Sequence, residues 1–264
     1  MQPATTTDHI LYEIRDGVGF VTLNRPASRN ALTFEMYARL ADICSTVPTD
    51  GSVRVLVITG AGDKAFAAGT DIALFRDFKT PEQGIAYETG ADAYFKAIEA
   101  CPVPTIAAIA GACTGGGAGI AVCCDLRIAT ADMKYGFPIA RTLGNCLSAA
   151  TLARLVAVLG EPRVVELLFT ARLMTSDEAL RVGLVSEVLP DHASLMARAH
   201  ALAQTLKSHA PLTLSVTKQL LRRMRQAAAK VDDHDLIAQV YTSADFREGL
   251  TSFLAKRPPQ WTGR

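Results

Sequence analysis

Between His9 and His192 the chain contains no histidine. A site built in the middle of the molecule therefore lacks an imidazole, the side chain best suited to proton transfer near neutral pH. His192, His200, His209 and His234 all stand in the last third, and none is expected to act there as a base. No Walker-type phosphate loop occurs, so nucleoside triphosphate chemistry has no anchor. None of the six cysteines has a CxxC or zinc-like spacing, and no metal site is expected. The adjacent Cys123 and Cys124 lie in an apolar stretch and read as small buried hydrophobes. Reduced thiols fit a cytoplasmic protein.

Apolar runs such as TIAAIAGAC are too short to span a bilayer, and the opening MQPATTTDHI lacks the layout of a signal peptide. With 27 basic and 26 acidic residues the net charge is +1, which gives no electrostatic case for nucleic acid or a membrane surface. Low-complexity segments and short repeats are absent as well.

What remains is ordinary globular composition, 49% hydrophobic and 20% charged, over 264 residues. ILYEIRDGVGFVTLN reads as a hairpin turning at Asp16-Gly17. RPASRNAL (25–32) reads as a loop, and Thr33 as the N-cap of a helix through Cys44. The runs at 53–60, 105–111 and 126–131 read as strands, the first apolar on both faces as buried parallel strands are. A helix is predicted over about 82–100 and another around Leu152–Leu159, closed by Gly160. DEALRVG reads as a helix feeding a strand at 184–189, and helices fill most of 193–229, with Pro211 at a helix start. This is an α/β chain whose last third is helical, divided as a core over 1–192 and a helical region over 193–264.

Three small-residue segments invite chemistry. TGAGDKA (59–65) matches a weak GxGxxA dinucleotide pattern. A nicotinamide site would also need an acidic residue closing a strand roughly 20 residues on. The next acidic candidate, Asp77 in LFRDF, closes none, so an oxidoreductase is disfavoured. FAAGTDI (66–72) and GACTGGGAG (111–119) each follow a buried strand. Backbone N–H groups at a turn or helix start point outward, and two converging on one carbonyl oxygen make an oxyanion hole.

In these segments the chain resembles the enoyl-CoA hydratase/isomerase (crotonase) family, nearly end to end. RPASRNAL is similar to its N-A-L motif, KAFAAGTDI to its FxAGxD loop, and GACTGGGAGIAVCCDLRIA to its GGG helix start. YGFPIARTLG, EALRVGLVSEVL and REGLTSFLAKRPPQW resemble its FGxPE, GLV and C-terminal REG segments. The resemblance implies a spiral core of ββα turns and C-terminal helices that pack outward to build a homotrimer or a dimer of trimers. It implies an acyl-CoA thioester as ligand, with coenzyme A entering as part of the substrate and no separate cofactor. The oxyanion amides would be those of Thr70 and Gly116. Ser28, Arg29, Ala68, Asp71 and Ile72 would contact the coenzyme A moiety, and Phe253 and Lys256 its nucleotide end.

The family's hydratases carry two glutamates where this chain has Gly119 and Ile139, or Ala140 with a one-residue shift. Adding water across an enoyl thioester needs both a base and an acid within hydrogen-bond reach. An isomerase, lyase or hydrolase is therefore expected rather than a hydratase, the alternative being an acyl-CoA-binding relative without turnover. Arg141 and Asn145, in ARTLGNC, are candidates to meet a polar acyl end. Asp77, Glu82 and Glu88, on a segment read as a lid, are expected on a solvated helix face. Asp125 is expected to be structural, and Cys146 a weak nucleophile candidate.

Overall fold

In the computed structural model, which describes residues 9–228 and 232–264, Asp16 and Gly17 both take left-handed backbone (φ 46° and 69°). That geometry joins β1 (Ile10–Arg15) to β2 (Val18–Leu23) as an antiparallel pair, Arg15 opposite Val18. Most of the opening segment read for a signal, and residue 229 of the predicted helical stretch, lie outside the described residues. α1 (Phe34–Thr46) starts at Thr33, whose hydroxyl accepts the Met36 N–H.

Three passes of one pattern follow. β3 (Val55–Gly60) leads to β4 (Ala65–Ala67) and, after a 3-10 turn at Ile72–Phe75, to α2 (Pro81–Ala100). β5 (Thr105–Ile109) leads to β6 (Ala112–Thr114) and α3 (Gly116–Cys123). β7 (Leu126–Thr130) leads to β8 (Lys134–Gly136) and the single turn α4 (Ile139–Thr142). After α5 (Ala149–Leu159) and α6 (Glu161–Thr170), β9 (Met174–Thr175), α7 (Ser176–Arg181) and β10 (Glu187–Leu189) complete the core.

The first strand of each pass joins a six-stranded sheet ordered β1-β2-β3-β5-β7-β10, parallel but for the opening hairpin. The second joins a smaller sheet ordered β4-β6-β8-β9. The chain thus winds as the spiral that the resemblance implies.

Burial follows strand periodicity. Leu56, Ile58, Ala107 and Ile109 face the core formed with α1, α2 and α3. Val55, Val57, Ile106 and Ala108 face the other way, onto the helix described next. Both faces are covered, which is why β3 is apolar throughout.

The C-terminal helices depart from the expected outward packing. α8 (His192–Ser208) lays Leu195, Ala199 and Ala203 on the main sheet. α9 (Pro211–Ala228) does present apolar residues to solvent: Leu212, Val216, Leu220 and Met224. α10 (His234–Tyr241) and α11 (Ala244–Leu254) turn back, and Ile237, Tyr241, Phe246 and Leu250 pack with Phe75 and Leu143.

The strands are also shorter than predicted. The run at 105–111 breaks at Gly111 (φ +60°), where a Cβ would lie 2.2 Å from the Lys64 carbonyl oxygen. Only Glu187–Leu189 of the run at 184–189 pairs with β7. The TGAGDKA segment opens no helix, since Ala65 already begins β4, and this removes the dinucleotide reading.

Asn30 pins the loop between β2 and α1. It is fully buried with φ 55°; its Nδ2 donates to the Ala61 (3.1 Å) and Ala65 (2.7 Å) carbonyls, and its Oδ1 accepts the Arg25 N–H (3.0 Å). Asn30→Ala leaves these groups unpaired, and each buried orphan costs about 1–3 kcal/mol. The expected loss is about 2–4 kcal/mol, read as a lower urea midpoint at unchanged slope. A midpoint equal to the parent's contradicts the pinning role.

Candidate active site

Two loops after parallel strands meet beside the loop that Asn30 holds. The Leu32 N–H donates to the Gly69 carbonyl (2.8 Å), Asp71 N–H to Leu32 O (2.8 Å), and Ala68 N–H to Arg29 O (3.0 Å). Arg25 reinforces this seam through the Asp71 carboxylate (3.1 Å) and the Ala31 carbonyl (2.6 Å). On the far side the Gly115 N–H donates to Gly136 O (3.0 Å), and Gly116 starts α3, so its amide has no intrahelical partner. A Cβ on Gly69 would lie 4.0 Å from the Gly116 nitrogen. The two loops are in contact.

Together they floor a cleft of about 550 Å³. Of the sequence-predicted residues, Thr70, Gly116, Ser28, Arg29, Ala68, Asp71, Ile72, Asn145 and Phe253 line it. Arg141 does not: it is exposed on α4, whose Thr142 and Ile139 turn inward instead. Lys256 is exposed beyond the end of α11 and also outside the lining. Asn145 lines the cleft but gives its amide to the Tyr241 hydroxyl (3.3 Å) and the Cys146 carbonyl (3.4 Å). Its Oδ1 is buried without a partner among the described residues.

The Thr70 hydroxyl sits between two phenols, 2.9 Å from Tyr37 Oη and 2.9 Å from Tyr87 Oη. The Tyr37 hydroxyl also explains Gly116, because a Cβ there would fall 1.7 Å from it. Gly119 has a different cause: a Cβ would lie 2.4 Å from the Phe95 ring, which itself lines the cleft.

The largest departure from expectation is Glu88. Asp77 and Glu82 are exposed as anticipated, but Glu88 is only 5% exposed and lines the cleft. Its Oε1 accepts the Tyr241 hydroxyl at 2.5 Å. Gly84 makes room for that tyrosine, and Phe75, Phe78, Tyr87 and Phe246 ring the pair. Burial pushes the Glu88 carboxyl up to about 7; Asp92 and Asp233 add to this, and hydrogen bonds from Tyr241 and the Ser148 backbone oppose it. The signal was in the sequence: Gly84, Glu88, Ala91, Phe95 and Ile98 form one helical stripe, and the stripe is the buried face of α2.

Other candidates resolve as structural. Asp125 Oδ2 accepts Thr105 N–H (2.8 Å) and Lys218 Nζ (2.6 Å). Burial pushes the Cys146 thiol up to about 12, which keeps it un-ionised and a poor nucleophile. A smaller cleft of about 300 Å³ beneath α9 is lined by groups already paired with one another, Lys218 with Asp125 and Glu99 with Arg154 and Arg225.

A family model described as enoyl-CoA hydratase/isomerase matches residues 13–264. The chain belongs to the enoyl-CoA hydratase/isomerase family. It is 33% identical to a crotonyl-CoA hydratase of Syntrophomonas wolfei subsp. wolfei, over 95% of this chain and 96% of that one. It is 34% identical to an (E)-benzylidenesuccinyl-CoA hydratase of Thauera aromatica, over 96% and 99% of the two chains. Among solved structures it is similar to an enoyl-CoA hydratase/carnithine racemase of Magnetospirillum magneticum, with TM-score 0.79, 34% identity, and coverage of 98% and 97%. The crotonase fold and the acyl-CoA setting of this enzyme family follow from these matches.

Glu88 makes stability depend on pH. Its carboxyl takes up a proton on folding wherever pH lies between its ordinary 4.5 and about 7, so stability falls as pH rises through that window. Glu88→Gln removes the slope. The variant's advantage should grow by on the order of 3 kcal/mol between about pH 5 and pH 8, read from urea midpoints. A gap independent of pH contradicts the buried carboxyl.

Proposed function

We propose that the cleft takes an acyl-CoA thioester and receives its carbonyl oxygen between the amides of Thr70 and Gly116. The carrying observation is that both residues line one cleft while amides beside them are anchored elsewhere, Asp71 on Leu32 and Gly115 on Gly136. Two preorganised donors stabilise the oxyanion of a thioester enolate more than they do the ground-state carbonyl. Ser28 and Arg29 at the exposed mouth, with Ala68, Asp71, Ile72 and Phe253, would contact the coenzyme A moiety, and Lys256 its far end. No further cofactor or metal is needed for enolate chemistry of this kind.

Isomerase, lyase or hydrolase activity is favoured over hydration. Ile139 gives the cleft an apolar wall where a hydratase of the family would carry a carboxylate, and Phe95 occupies the space above Gly119. A polar acyl end would meet Asn145 rather than Arg141, since the unpartnered Oδ1 belongs to the lining. A cytoplasmic setting accords with six free cysteines, five of them buried. Among the described residues no helix is long and apolar enough to cross a membrane.

The test is mass spectrometry of the purified protein with a panel of acyl-CoAs, crotonyl-CoA included. Crotonyl-CoA should gain water negligibly, because each missing acid/base group is worth about 10²–10⁴-fold. Gly116→Pro deletes one oxyanion donor. It is best read in a Tyr37→Phe background, where the nearest remaining ring atom would be 3.0 Å from the new Cβ. Turnover should fall about 10²–10³-fold relative to Tyr37→Phe alone. Unchanged turnover would sink the oxyanion assignment, and robust hydration by the parent would sink the preference against it.

The exposed stripe Leu212, Val216, Leu220 and Met224 on α9 supports self-association as a trimer or a dimer of trimers. Light scattering at micromolar concentration should give three or six times the mass of the chain, and a monomeric mass contradicts this.

A further inference from the structure

We propose that Glu88 is the catalytic acid/base of this cleft, moving one proton between two carbons of a 3-enoyl thioester, with Tyr241 as its positioning residue. The proposal rests on the acyl-thioester reading above and names the reaction that the same site would perform.

Two carboxylates line the cleft among the described residues, Asp71 and Glu88. Asp71 is held by Arg25 and caps the 3-10 turn through the Ala73 N–H, so its oxygens are already engaged. Glu88 instead lines the cleft without an ion-pair partner among the described residues, accepting one side-chain hydrogen bond, from Tyr241, beside the Ser148 backbone amide. The contrast with Glu99, eleven residues on, is instructive: that buried carboxylate is neutralised by Arg154 and Arg225. Among the described residues no cation faces Glu88. The groups that do are Asp92 of α2, Asp233 ahead of α10, Tyr241 of α10, and the neighbouring Tyr87 and Cys146. A carboxyl in such surroundings exchanges its proton near neutral pH, as a shuttle must.

One group suits one reaction class. Hydration needs a base for water and a separate acid for carbon, whereas a 1,3-proton shift takes and returns the same proton. The Glu88 carboxylate removes a proton from the α-carbon of a 3-enoyl thioester. The C–H electron pair becomes a Cα=C1 bond, and the carbonyl π pair moves onto oxygen, held by the Thr70 and Gly116 amides. The oxygen pair then re-forms C=O, the Cα=C1 pair becomes Cα=Cβ, and the former Cβ=Cγ pair takes the proton from the Glu88 carboxyl at Cγ. The net change moves one hydrogen from Cα to Cγ and the double bond from β,γ to α,β. Water, oxidant and metal are not consumed.

The probes are 3-butenoyl-CoA, whose isomerisation to crotonyl-CoA is followed by absorbance, and the unreactive butyryl-CoA, whose binding is followed by calorimetry. The parent should bind butyryl-CoA and isomerise 3-butenoyl-CoA. Glu88→Gln should bind butyryl-CoA within about threefold of the parent but isomerise about 10²–10⁴-fold more slowly. Tyr241→Phe removes a hydrogen bond that favours the ionised carboxylate, so it should move the acid limb of the rate profile to higher pH and keep the plateau within about tenfold. A merely structural tyrosine would scale the rate equally at every pH, which would overturn its assignment.

Glu88→Gln activity within about tenfold of the parent overturns the proposal, and so does a parent that binds butyryl-CoA without isomerising 3-butenoyl-CoA. In both cases the acyl-thioester reading survives. Failure of the parent to bind butyryl-CoA overturns that reading and the proposal together.

Discussion

The amide of Ala112 donates to the Lys64 carbonyl (3.0 Å) and the amide of Lys134 to the Gly111 carbonyl (3.0 Å). These two hydrogen bonds stack the corners at which successive passes of the chain cross from the large sheet to the small one. Backbone must meet backbone at each corner, so side chains there have to be small. A Cβ on Gly117 would lie 2.4 Å from the Ala67 carbonyl oxygen, just as one on Gly111 would strike Lys64. Because the corners stack, the loops leaving β4 and β6 end side by side. Thr70 and Gly116, distant in sequence, thereby come to line one cleft. The site is a consequence of the winding, and the family's glycine-rich motifs are the residues that permit it.

The same helix treats its two inward carboxylates in opposite ways. Glu99 is paired with two arginines, one from α5 and one from α9, and so helps dock both helices on α2. Glu88 faces phenols and other acids. An unpaired buried carboxyl destabilises its ionised form and is rarely kept for packing alone. Its environment is assembled from far along the chain, with Gly84 opening the surface of α2 to Tyr241 and the aromatic cluster excluding water. The Tyr241–Glu88 hydrogen bond therefore ties α10 to α2 beside the cleft.

Much of the arrangement was legible in the residues. Asp16-Gly17 fixed the opening hairpin, apolar runs marked the large sheet, and the family resemblance singled out Thr70 and Gly116 within the two small-residue loops after β3 and β5. The small sheet was not legible, since strands of two or three residues show no period and owe their pairing to the stacked corners. Arg141 and Asn145 stand four apart in sequence, yet a single turn of helix sends one to solvent and the other to the cleft. Glu88 was misjudged because local charge suggested a solvated face, although its spacing to Ala91, Phe95 and Ile98 placed it on the buried stripe. Its partner Tyr241 lies 153 residues away, and no local pattern connects them.

The positions occupied by Gly119 and Ile139 gain meaning from this packing. At Gly119 the ring of Phe95 fills the space a longer side chain would enter. Phe95 in turn stacks edge-on against Tyr37, whose hydroxyl both supports Thr70 and forbids a side chain on Gly116. A glutamate introduced at 119 would have to displace Phe95, and moving Phe95 would disturb the tyrosine on which both loops lean. Position 119 is therefore closed to a longer side chain by the neighbouring aromatic packing unless residue 95 also changes. The buried carboxyl of this cleft sits on α2 rather than on α3 or α4, with Tyr241 and the aromatic cluster packed around it.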